Sequence, residues 1–278
     1  MLLKKLEIGY QSMRLLVTGG NGFVGKFIVN HLAENNTVYS PTSKELDLRD
    51  ILSVMQWFST HEVDIVIHCA LTGREELSSE DPDYLSDGLL MFRNLWQHRD
   101  KYQRFIHLGT AYEFDLTKNN EMINGDDILN HLPTTSYGYA KNVAARIIRE
   151  TPEFYNLRLF GVFHETESDK RFLQRVKSQD EVIIGNDHYI DYVYLPDILP
   201  MIDHIVEGPI QHRDINIVYN DKYRLSDIAL MLCDVLEQSR EKIKILGSNG
   251  NNLTGNGELY SQYVPDPIGL TQGLRNYK

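Results

Sequence analysis

The sequence predicts an α/β protein built on a doubly wound parallel sheet, and three observations lead there. The apolar run Leu15-Leu16-Val17-Thr18 breaks into glycines three apart (Gly19, Gly22, Gly25), and an amphipathic segment, Phe27 to Leu32, follows at helical spacing. Further apolar runs at 64–70, 104–110 and 153–159 read as buried strands, each preceded by a stretch of helical periodicity. Such alternation implies right-handed crossovers, which place helices on both faces of a parallel sheet. Past residue 160 the alternation weakens. Residues 14–160 are therefore expected to form the sheet domain. Residues 161–278 mainly form a smaller lobe that returns one strand, near 215–219, to the sheet.

Strand, glycine turn and helix together make a dinucleotide site. Gly19 permits the tight turn, Gly22 lets the backbone approach a pyrophosphate, and Gly25 lets the helix lie against the strand. The exposed N–H groups opening the helix, with Asn21, Phe23 and Val24 around them, attract the phosphate charge. Gly20 to Lys26 also fits the Gly-x4-Gly-Lys phosphate loop, but Phe27 stands where that loop needs a magnesium-binding hydroxyl.

Size and charge narrow the partner. The chain has 278 residues, 42% hydrophobic and 24% charged, enough to bury a sizeable core. No run of eighteen apolar residues is present, so no membrane span is expected. A net charge of -11 argues against nucleic acid and against an anionic membrane surface, which leaves a small molecule as partner. Cys69 and Cys233 are far apart and lack ligand spacing, so neither a disulfide framework nor a metal centre is expected. A reducing cytoplasm is the expected compartment. Residues 1–13 lack the apolar run of a signal peptide and read as an extension before the first strand.

Along the chain, Thr37-Val38-Tyr39-Ser40 is a short strand whose tip, Ser40 to Lys44, offers hydroxyls and a lysine where an NAD-binding protein usually carries an acid for the ribose. Ser40, Thr42, Ser43 and Lys44 suit a 2′-phosphate, so NADP is the expected cofactor and NAD the alternative. Asp50 to Thr60 reads as a helix with Asp50 near its start. Tyr84 to Lys101 reads as a strongly apolar helix, and Ala111 to Thr135 as a polar loop. Ser136 to Ile148 is a helix opened by Tyr137 and Lys141, which lie four apart and so share one face. In the second half, 169–178, 196–206 and 225–236 read as helices, 181–184 and 191–194 as short strands, and 247–257 as a loop.

A Tyr/Lys pair four apart is common by chance in a chain with 16 tyrosines. Its place is more telling: it opens a helix downstream of the glycine turn and of Thr110, a hydroxyl at a strand end. That order resembles the extended short-chain dehydrogenase/reductase family, whose cofactor domain is a Rossmann fold. The resemblance covers about residues 14–278. It implies a catalytic set of Thr110, Tyr137 and Lys141, with Tyr137 as proton donor, Lys141 on the nicotinamide ribose and Thr110 on the reacting oxygen. An unperturbed phenol has a pKa of about 10, and a neighbouring ammonium is expected to lower it. The resemblance further places Asp47 and Leu48 at the adenine and Cys69, Ala70 and Leu71 beside the nicotinamide.

The stretches Arg158 to Phe163, Ile190 to Asp197 and Gly269 to Leu274 look like landmarks of nucleotide-sugar epimerases, dehydratases and reductases. Expected substrate residues are Thr72, Tyr112, Glu113, Arg171 and Asp191, with Arg175 as an alternative diphosphate partner to Arg171. Two departures stand out: Gly161 replaces a frequent asparagine, and Ile190 replaces a frequent arginine. Dehydratases of this type carry an acid one or two residues past the catalytic hydroxyl, where this chain has Ala111 and Tyr112. The fucose synthase type has a cysteine at the place of Tyr112. What remains is NADP-dependent reduction of a nucleotide-linked 4-keto-6-deoxy sugar or, alternatively, epimerisation at C4. A non-catalytic dinucleotide sensor is the third reading. A homodimer through the two long helices is expected from the family.

Overall fold

The computed structural model describes residues 12–71 and 80–278. Thr72 and residues 1–11 of the expected extension lie outside the described residues. The first half alternates as its apolar runs require: β1 (Arg14–Thr18), α1 (Phe23–Leu32), β2 (Thr37–Tyr39), α2 (Ile51–Thr60), β3 (Ile65–His68), α3 (Pro82–Gln97) and β4 (Arg104–Thr110). There follow β5 (Asn120–Ile123), α4 (Ser136–Glu150) and β6 (Phe154–Leu159). The second half holds β7 (Gly161–Phe163), α5 (Phe172–Ser178), β8 (Val182–Ile184), β9 (Tyr189–Ile190), β10 (Tyr192–Tyr194), α6 (Leu199–Glu207) and β11 (Asp214–Ile217). It ends with β12 (Tyr223–Arg224), α7 (Leu225–Val235), β13 (Ile243–Ile245), β14 (Leu253–Gly255), α8 (Glu258–Tyr263) and α9 (Gly269–Arg275).

Six strands form one parallel sheet in the order β2-β1-β3-β4-β6-β11. Side chains alternate between its faces. Leu15, Val17, Ile67, Ile106 and Leu157 pack with α1 and α6, while Leu16, Val66, Phe105 and Phe154 pack with α2, α3 and α4. A strand covered on both sides must be apolar at every position, which is why these strands read as unbroken hydrophobic runs. Asp50 caps α2 by accepting from the Leu52 N–H at 2.9 Å, as its position predicts.

Chain order reverses between β1 and β3, so the crevice for a ligand opens at their carboxyl ends. Registry brings Thr18, His68 and His107 abreast there, with Thr110 three residues further out, at the end of β4. As expected, a late segment, β11, completes the sheet beside β6.

Two stretches expected to be loops carry strands. β5 and β14 pair in parallel, and with β9 and β12 they make a four-stranded sheet in the second lobe. Their alternation was hidden because the ladder is irregular. Met122 takes φ 51°, and the register shifts between Leu253 and Gly255. The lobe has its own core around Phe163, Leu173, Ile228, Leu232 and Leu274. Tyr260 and Val264 nevertheless belong to the main core, so the C-terminal segment is shared between the two. Among the described residues no helix is long and apolar enough to cross a membrane.

Leu157 lies on β6 between two neighbours and is fully buried. Leu157→Ala is expected to lower unfolding free energy by about 2–5 kcal/mol, read as a reduced urea midpoint at unchanged m-value.

Candidate active site

Gly19 sits at φ 70°, and a Cβ there would lie 2.6 Å from Ala70 Cα, so the turn after β1 and the end of β3 touch backbone to backbone. The N-cap of α1, Gly22, supplies no side chain to the first-turn N–H groups. Those donors and the positive end of the helix are free to serve an anion. A cleft of about 520 Å³ opens beside them. Gly19, Asn21, Thr42, Ser43, Asp47, Leu48, Ala70 and Leu71 line it, together with Pro41, Arg49 and Met91. Turn, donors and elongated cleft fit a dinucleotide.

Several expected cofactor residues have other duties. The Ser40 hydroxyl packs against Gly20, where any Cβ would strike it. Ser40 and Lys44 are not among the residues lining the cleft. Thr42 donates its N–H (2.8 Å) and its hydroxyl (2.9 Å) to Glu45, fixing the loop. Asp47 is gripped by Arg49 through Nε and Nη2, each at 3.0 Å, which holds its carboxyl below the usual range. Arg49 is the cation that lines this cleft, and sequence reasoning passed over it. Burial pushes the Cys69 thiol up to about 12, which keeps it protonated and inert.

Thr110, Tyr137 and Lys141 are brought together. Thr135 caps α4, accepting from Gly138 N–H at 3.1 Å, and this delivers Tyr137 to the end of β4. There the phenol faces the Thr110 side chain, which favours the ionised form. The rings of Tyr84 and Tyr112 flank it at 5.6 and 5.7 Å. Lys141 lies one turn deeper, donating to the Leu108 carbonyl at 2.8 Å, with His107 Nε2 3.3 Å away. Burial lowers its pKa to about 8, against the pull of Glu113 and Cys69.

The expected lowering of the phenol by Lys141 is not what the structure shows. Burial pushes Tyr137 upward; the nearby Thr110 side chain opposes it, while Glu113, Tyr112 and Tyr84 add to it. The phenol is held as an acid. His68 gives its Nδ1 to Thr18 Oγ1 at 2.8 Å, and burial lowers it to about 3, leaving a neutral strand residue.

A second cleft, about 470 Å³, lies against the lobe and is lined by Tyr112, Asn120, Phe160, Gly161, Arg171, Ile190 and Tyr192, among others. Arg171 is steered by Glu167 (2.7 Å), by the Val162 carbonyl and by the Phe23 ring. Arg175 lies one turn on, within α5, and is not among the residues lining this cleft; its buried Nε has no hydrogen-bond partner among the described residues. Two expected substrate residues point inward instead. Asp191 is buried, accepting from Lys222 (2.8 Å) and from Gly255 N–H (2.7 Å). Glu113 is wholly buried behind the strand against Arg158 at 2.7 Å. Each already has a full set of protein donors, which removes it from the substrate.

A family model described as the NAD dependent epimerase/dehydratase family matches residues 15–218. The chain is 22% identical to a GDP-6-deoxy-D-talose 4-dehydrogenase of Aggregatibacter actinomycetemcomitans, covering 95% of this chain and 92% of that protein. It is 20% identical to a dTDP-glucose 4,6-dehydratase of Escherichia coli, covering 81% and 77%. In fold it is similar to the NADP-bound GDP-mannoheptose C4 reductase of Campylobacter jejuni, with a TM-score of 0.80 at 16% identity over 96% and 97% of the two chains.

Because burial favours the neutral amine, Lys141 is expected to lose its proton near pH 8. Turnover should fall as pH rises through that value, and the limb should vanish from the residual activity of Lys141→Met in a pH–rate profile.

Proposed function

The chain belongs to the NAD dependent epimerase/dehydratase family, and from that premise we propose that it is an NADP-dependent reductase of a nucleotide-linked 4-keto-6-deoxy sugar. The observation that carries this reading is the buried Tyr137 phenol, kept protonated and facing Thr110 at the sheet's carboxyl edge, one helical turn from Lys141. Bound in the long cleft, the reduced dinucleotide would supply hydride to the carbonyl carbon. The residues of the chain then have the oxygen to manage. Thr110 holds it, and Tyr137 gives it a proton as charge develops. Lys141 restores positive charge beneath the phenol and orients the ribose.

Three features support reduction over neighbouring chemistries. Dehydration needs a further acid beside the sugar. The acid nearest Thr110 in sequence, Glu113, is sealed behind the strand by Arg158. Tyr112 fills the adjoining position with an aromatic wall. The Ser43 hydroxyl and the Arg49 guanidinium line the cleft and suit a phosphorylated ribose, and the neighbouring reductase structure is described with NADP bound. The relatives are named for work on nucleotide-linked sugars, and a sugar diphosphate needs a cation where Arg171 lines the second cleft.

The deciding experiment incubates the protein with NADPH and a panel of nucleotide-linked 4-keto-6-deoxy sugars, following the reduced cofactor by absorbance. Stoichiometric oxidation supports reduction. Sugar inversion without cofactor loss would make it a C4 epimerase, and neither would leave a dinucleotide sensor. Tyr137→Phe is expected to cut kcat by about 10²–10⁴-fold with NADPH affinity nearly intact. Arg171→Gln is expected to raise the sugar KM at least tenfold with little change in kcat.

A further inference from the structure

Behind the catalytic threonine lies a charged cluster that faces neither cleft. Glu113 accepts from the Thr110 N–H at 2.9 Å on one oxygen, and from Arg158 Nε (2.7 Å) and Asn156 Nδ2 (3.1 Å) on the other. Arg158 and Glu113 have no exposed side-chain surface at all. The remaining donors of Arg158 go to Asn216 Oδ1 at 2.8 Å and to Asp214 at 2.9 Å. Its guanidinium also rests on the Phe114 ring, 4.8 Å from the centroid. A buried ion pair seldom outperforms apolar packing in stability, so its presence here calls for another reason.

That reason is visible at Thr110. Its backbone N–H goes to Glu113, while its hydroxyl oxygen accepts from Tyr112 N–H at 3.3 Å, closing a reciprocal box over three residues. With that lone pair taken, the hydroxyl proton is left for Tyr137 or for a bound oxygen. The strand makes room for the carboxylate through Gly109, where any Cβ would overlap Glu113 Oε1 and Asn156 Oδ1. On the opposite side α4 is bound to the same turn, with Asn142 donating to the Glu113 carbonyl at 2.8 Å.

We propose that Glu113, seated against Gly109 and anchored by Arg158, is a positioning residue that fixes the Thr110 hydroxyl on the Tyr137 phenol. The proposal rests on Thr110 and Tyr137 being the reacting pair. Three donors need two acceptor oxygens, which a carboxylate has and an amide lacks. Glu113→Gln must therefore orphan either Thr110 N–H or Arg158. Gly109→Ala displaces the same carboxylate without changing any charge. Asp214→Asn weakens the far end of Arg158 and leaves the Thr110 bond in place.

The test measures kcat, sugar KM and NADPH affinity for the three variants, per folded molecule counted by NADPH binding, alongside Tyr137→Phe. E113Q and G109A are expected to lose at least tenfold in kcat with NADPH affinity and sugar KM within twofold, while D214N keeps kcat within twofold at a lower melting temperature. The phenol is faced by Thr110 on β4, Tyr112 and Glu113 on the turn, Tyr84 on α3 and Lys141 on its own helix. Glu113 is the carboxylate among them. Removing its charge should move the Tyr137 limb of the pH–rate profile to lower pH in E113Q and not in D214N. Full kcat in E113Q, or an equal loss in D214N, overturns the positioning role. An active Y137F would instead overturn the reading of the site itself.

Discussion

The backbone contact between Gly19 and Ala70 is the constraint from which the rest of the site follows. Two neighbouring parallel strands, β1 and β3, must send their chains to opposite faces of the sheet, and the gap between them is where a ligand can enter. With no side chain between the turn and the end of β3, the opening stays narrow at its base and is walled by main chain. It can therefore grip an anion through N–H groups. The next strand over, β4, then ends at the correct height to present Thr110 to whatever the turn has bound.

Ionisable groups in this protein divide by depth rather than by sign. Those at the cleft surfaces, Arg49 and Arg171, are paired on one side and open on the other. Those deeper down are fully committed: Glu113 with Arg158, Asp191 with Lys222, and Glu167 with the Tyr277 hydroxyl at 2.8 Å. The last of these lets the C-terminal tail act on a cleft residue, because the same Glu167 carboxylate steers Arg171. Desolvation would be costly for each group alone. It is offset because each carboxylate collects two or more donors.

This division explains how much of the site could be read from sequence. Residue types that follow from backbone geometry were legible: the glycines, the strand-end Thr110, and Tyr137 with Lys141 on one helical face. So were β1, β3, β4 and β6, since strands covered on both faces leave unbroken apolar runs. Glu113 and Asp191 were misplaced because an acid near a catalytic motif looks the same in sequence whether it faces substrate or a buried arginine. Their partners, Arg158 and Lys222, lie 45 and 31 residues away. The same distance problem concealed β5 and β14, polar strands whose ladder joins segments about 130 residues apart. Arg49 and Tyr84 gave no periodic or spacing signal at all.

The fastening of Thr110 and Tyr137 has a structural origin that the lobe does not share. Thr110 and Tyr137 belong to different elements, so their alignment depends on how firmly α4 is fastened to the end of β4. Lys141 binds the Leu108 carbonyl, Asn142 binds the Glu113 carbonyl, and Thr135 fixes where the helix begins. Three bonds along the first two turns of one helix hold it against sliding, and so hold the distance between phenol and hydroxyl. The second cleft, by contrast, is bounded by short strands, a seven-residue helix and an irregular ladder. Such a wall can change its side chains without disturbing the pair. Thr110 and Tyr137 are thus held by the sheet and α4, whatever the lobe places in the second cleft.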